Sequence, residues 1–98
     1  MISLDSAAVA DLCRRHQIVE LALFGSVTGD DFGPESDVDI LVEFAAGKRV
    51  GFLGLGEIQE ELEQIVGRRV DLVTKHSLSG LLRDEILASR KVVYVQPQ

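Results

Sequence analysis

A chain of 98 residues, 46% of them apolar, has room for one modest hydrophobic core, so residues 1–98 read as a single domain. A formal net charge of −6 argues against a bare phosphate backbone as ligand. Four Phe, one Tyr and no Trp argue against a base-stacking platform.

The first residues, "MISLDSAAVADL", meet Asp5 early, lack a basic leader and predict a helix. Ala8, Val9, Leu12 and Cys13 fall on one face, with Ser3 or Ser6 as the expected cap. Cys13 is the sole cysteine, which leaves no internal disulfide and no multi-cysteine zinc site; it reads as a small core residue. "IVELALF" (18–24) predicts a strand ending at Gly25, and 27–36 a polar loop. "DVDILVEF" (37–44) predicts the second strand. Leu55, Ile58, Leu62 and Ile65 recur at helical spacing, with a solvated acidic face of Glu57, Glu60, Glu61 and Glu63 and a stop at Gly67. "RRVDLVT" (68–74) predicts a third strand, 77–90 a last helix with Leu78, Leu81, Leu82, Ile86 and Leu87 apolar, and "KVVYV" (91–95) a closing strand. His16 and His76 stand alone, without metal-ligand spacing, and the basic pairs read as surface. No apolar run reaches the length of a membrane span, so a cytoplasmic location is expected.

The stretch "RVGFLGLGEIQ" imitates a dinucleotide fingerprint, with Gly54 and Gly56 in place and Asp71 near the ribose-binding position. Gln59 occupies the third glycine position, where close helix–strand packing needs a glycine. Too little chain follows for a doubly wound domain, so the glycines read as the entry to a helix near Phe52.

Asp37 and Asp39 interrupt an otherwise apolar strand, a place that disfavours Asp. Side chains two residues apart share one face of a strand, roughly 6.5–7 Å apart. The two carboxylates therefore project together and repel unless a cation lies between them. Mg²⁺ suits such a pair, because it takes one or two carboxylates and the phosphates of a substrate. Asp71 lies in the third strand; if that strand neighbours the second, it completes a trio able to hold metal and to take a proton. Taken alone, it could instead pair with Arg68 or Arg69. Gly25 and Ser26 supply a turn whose N–H groups and hydroxyl can bind phosphate.

Gly25-Ser26, ten residues, then Asp37-Val38-Asp39 resembles the signature of the polymerase-β-like nucleotidyltransferase superfamily. The short length, "SDVDILVEF", "GFLGLGEIQEELEQIVGRRVDLVT" and "LRDEILASRKVVYV" resemble more narrowly its minimal nucleotidyltransferase (MNT) family. The resemblance implies an α+β fold, a small mixed sheet flanked by helices as in a polymerase palm. It implies Asp37, Asp39 and Asp71 as metal-binding and catalytic carboxylates, Gly25 and Ser26 as phosphate-holding residues, and Mg²⁺ with ATP as cofactor and substrate. It also implies an antitoxin that transfers AMP to a tyrosine of a HEPN-domain ribonuclease toxin. One departure stands out: "TGDD" (28–31) replaces the family's usual small residue, Arg and Gly, so that Gly29 occupies the Arg position and two acids follow. That change leaves open a module that silences its partner by stoichiometric contact. Transfer to a small molecule is a third possibility, disfavoured because no second domain shapes an acceptor pocket.

Overall fold

The computed structural model describes residues 4–25 and 37–96. The first helix, α1, runs Ser6–His16 and is capped by Asp5, whose carboxylate accepts the Ala7 and Ala8 N–H groups at 3.0 and 3.2 Å. Neither serine is the cap: the carboxylate satisfies two donors of the first turn and sits at the positive end of the helix dipole. Gln17, left-handed at φ 58°, ends the helix and turns the chain into strand β1, Ile18–Phe24. Strand β2 follows at Val38–Phe44, then helix α2 at Phe52–Val66, strand β3 at Val70–Thr74, a 3₁₀ turn at Lys75–Ser77, helix α3 at Gly80–Ser89 and strand β4 at Lys91–Val95.

The strands form one mixed sheet in the order β3-β2-β1-β4. β1 is antiparallel to β2 and β4, while β2 and β3, joined through α2, are parallel. The α+β fold with a small mixed sheet is therefore as expected. Alternation along β2 divides the core. Val38, Ile40 and Val42 pack with Val9, Leu12 and Cys13 of α1 and Ile58 and Leu62 of α2. Leu41 faces the other way, with Ala22, Phe24 and Ile86 of α3. Cys13 is fully buried, as expected of a small core residue, and burial pushes its thiol up to about 12.

Two expectations need correction. The acidic face of α2 is not all solvated. Glu61 receives His16 Nε2 at 2.6 Å and Arg15 Nη1 at 2.8 Å, and Glu63 accepts the Val70 N–H at 3.0 Å. His16 and Arg15 thereby join α1 to α2. The last helix is shorter than 77–90 and buries only Ile86, with Leu81 80% and Leu82 59% exposed. Among the described residues, no helix is long and apolar enough to cross a membrane.

Candidate active site

The acids meet because β2 and β3 are parallel and in register. Asp39 lies opposite Asp71, just as Val38 lies opposite Val70. On the other side of β2, Asp39 lies opposite Phe24, the last residue of β1. Three strand ends thus converge: the exit of β1 and the entries of β2 and β3. Strand alternation puts Asp37, Asp39 and Asp71 on the same face as Leu41 and Val73, the face that carries α3.

Gly25 sits at this convergence with φ +74°, a left-handed conformation that glycine adopts without a steric penalty. A Cβ here would collide with Asp39 Oδ2, so the missing side chain is what lets the backbone approach the carboxylate. Ser26 and the "TGDD" segment (28–31) lie outside the described residues.

Charge is concentrated at this edge. Asp39 has its carboxyl raised above the ordinary range, first by burial, then by the negative charge of Asp71, and then by that of Asp37. Asp37 meets Arg69, whose Nε lies 3.3 Å from Asp37 Oδ1. Arg69 therefore pairs with Asp37, not with Asp71. The sequence signal for this was available in principle: Arg69 immediately precedes β3 as Asp37 precedes β2, and parallel register makes the two positions neighbours. Among the described residues, no three His, Cys, Asp or Glu side chains stand ready-assembled as a metal cluster.

The donor set nevertheless suits a hard divalent cation. It is made of carboxylate oxygens, its central member is disfavoured in its charged form by burial and then by its acidic neighbours, and the adjoining backbone carries no side chain. A cation bound here would relieve the repulsion that raises Asp39.

Comparisons with known proteins bear on the family and the fold. Residues 6–93 match the family model of the nucleotidyltransferase domain. The protein adenylyltransferase MntA of Thermococcus cleftensis is 39% identical over 93 residues, covering 95% of this chain and 90% of that protein. A chain in the crystal structure of a toxin–antitoxin with AMP-PNP superposes with a TM-score of 0.74 at 25% identity, covering 97% of this chain and 77% of that one. The fold is also that of a chain in the complex of a tri-AMPylated Shewanella oneidensis HEPN toxin with its MNT antitoxin, at TM-score 0.65, 22% identity and coverage of 93% and 70%. A chain with this sheet, this acidic edge and these relatives is a nucleotidyltransferase, and it belongs within that domain family to the minimal nucleotidyltransferases that include MntA.

Proposed function

We propose that this protein is an antitoxin that uses Mg²⁺ and ATP to attach AMP to a tyrosine of a HEPN-type ribonuclease toxin. The reading is carried by one observation: parallel register sets Asp71 beside Asp39, next to a glycine whose bare Cα faces the Asp39 carboxylate. In this reading Asp37 and Asp39, with Asp71, hold the metal. A bound divalent cation would supply countercharge for the triphosphate and for the charge that develops at the reacting phosphorus.

The transfer is a substitution at the α-phosphorus of ATP. The tyrosine oxygen forms a bond to that phosphorus, the bond to the β-phosphate oxygen breaks, and pyrophosphate leaves with the electron pair. Asp71 takes the tyrosine proton as general base. Gly25 and Ser26 hold the phosphates through backbone N–H groups and the serine hydroxyl. The attached AMP adds a negative phosphodiester and a bulky base, which would oppose RNA at the toxin's active site by repulsion and sterics. The MntA relative named as a protein adenylyltransferase and the AMP-PNP complex support the nucleotide and the transferred group. The Shewanella complex supports the partner class.

Catalysis can act substoichiometrically, whereas contact cannot. The test mixes this protein at a low molar ratio with its cognate HEPN-type toxin, adds ATP and Mg²⁺, and weighs the toxin by intact mass spectrometry. Whole AMP increments on most toxin molecules, absent with an Asp37→Asn/Asp39→Asn double variant, are the expected result. An unchanged toxin mass, with silencing only at one-to-one ratio, would replace the enzyme by a stoichiometric binding module.

A further inference from the structure

Arg69 lies where the acidic edge needs a cation, on a side chain largely open to solvent. Its side chain is 82% exposed and that of Asp37 is 52% exposed, so their ion pair is an open one. Its position is set by the backbone. The Val38 N–H donates to the Arg69 carbonyl at 2.9 Å, fixing the residue before β3 beside the residue before β2 whatever the side chain does.

An exposed pair of this kind is weak and easily exchanged. A divalent cation, carrying twice the charge, competes with it for the same carboxylate. A guanidinium stays protonated at any physiological pH and presents planar forked donors that match phosphate oxygens. Once displaced from Asp37, it stays tethered within a side chain's length of that carboxylate. Asp39 faces Asp71 across the parallel strands, with Asp37 two residues before Asp39 on the same face, and three carboxylates gathered at one edge draw positive charge.

We propose that Arg69 is the resident counter-cation of this site: it holds Asp37 while no metal is bound, gives the carboxylate up to a divalent cation, and then bonds the substrate's phosphates. The inference rests on the reading of Asp37 as a metal ligand. It makes Arg69 a positioning residue in the free protein and a phosphate ligand in the loaded one, and it demands effects of opposite sign on the two binding steps.

The experiment titrates Mn²⁺ into the intact protein without nucleotide, following bound metal by water-proton relaxation, and then titrates AMP-PNP in the presence of Mn²⁺. Arg69→Gln is expected to tighten bare Mn²⁺ by about two- to five-fold, the range of one exposed ion pair. It is expected to weaken AMP-PNP roughly tenfold, as the loss of a charged hydrogen bond does. Arg69→Lys keeps the charge without the fork, so it leaves Mn²⁺ affinity near the parent's and weakens AMP-PNP less. Arg49→Gln makes the same change in net charge beyond the far end of β2 and moves neither affinity. In an Asp37→Asn background, Arg69→Gln brings no gain in Mn²⁺ affinity. If Arg69→Gln leaves both affinities unchanged, or if Arg49→Gln matches its effects, the role of Arg69 is overturned while Asp37 stands as a ligand. If Asp37→Asn binds Mn²⁺ like the parent, the site assignment itself falls, and this inference with it.

Discussion

Asp39 is a residue whose charge works against the free fold. Its carboxyl is raised by burial, by Asp71 and by Asp37, so protonation favours the folded state. The sign follows from linkage: the stabilising contribution is fully present below the unfolded pKa and is lost as pH rises through the raised folded value. Asp39→Asn fixes the neutral state. It should raise the melting temperature in EDTA by a few degrees, since ~1 kcal/mol moves a domain of this size by ~4–8 °C, while abolishing transfer. Thermal melts with and without EDTA check this, and a lower melting point in EDTA would show that Asp39 makes a net favourable contact. Asp71→Asn should lower the transfer rate by about 10²- to 10⁴-fold, as loss of a general base does, with nucleotide affinity changing far less. A normal rate would return Asp71 to a structural role. Gly25→Ala meets two obstacles, a positive φ and the Asp39 carboxylate. It should destabilise by more than about 1 kcal/mol and, by displacing Asp39, slow transfer on the order of 10²-fold. Kinetics with the folded fraction measured in parallel separates the two effects.

At the scale of elements, the two layers of the fold differ in how firmly they are held. α1 and α2 bury Leu12, Ile58 and Leu62 almost completely and are linked by Glu61, which binds His16 and Arg15. Leu62→Ala should therefore cost about 2–5 kcal/mol. Leu81→Ala on α3, where the side chain is largely exposed, should stay within about 0.5 kcal/mol of the parent in chemical denaturation. A large loss at Leu81 would mean that α3 is packed more tightly than its exposure shows. The Glu61 carboxyl is held below its ordinary range chiefly by the hydrogen bond from His16, with Arg15 adding to it. Its contribution is present above the unfolded value of 4.5 and is lost as pH falls through the lowered folded value. Glu61→Gln should flatten the acid limb of the stability curve, a difference read by denaturant titrations at stepped pH. An unchanged acid limb would place the acid sensitivity elsewhere.

For the whole molecule, the sheet is the rigid frame and α3 the least anchored helix, with Ile86 as its one buried residue. Amide exchange should be slowest in β1 and β2, whose residues fill both cores, and should begin in α3. Equal protection across these elements would show that the two layers open as one unit. Asp39 lies on β2, whose residues fill both cores, and Asp37 directly precedes it, so both are positioned by the sheet and not by the helix laid over it.

Much of this was legible in the chain itself. The β1 bounds and the start and stop of α2 follow from apolar period and from Gly67, whose φ of +78° suits the helix end. The i, i+2 spacing of Asp37 and Asp39 fixes their shared face in any strand, because the pleat has a period of two. Gly54 and Gly56 lie inside α2, as the missing third glycine of the fingerprint suggested. Local pattern does not decide partnership. Read from residue pattern without the family resemblance, Asp71 joins the pair on the condition that its strand lies beside β2, and parallel register meets that condition. The pairing of Arg69 with Asp37, the union of Glu61 with His16 and the exposure of Leu81 likewise depend on which elements become neighbours. A sequence sets the period and propensity of each segment, but the cost or gain of a charge depends on what the fold brings within a few ångströms of it.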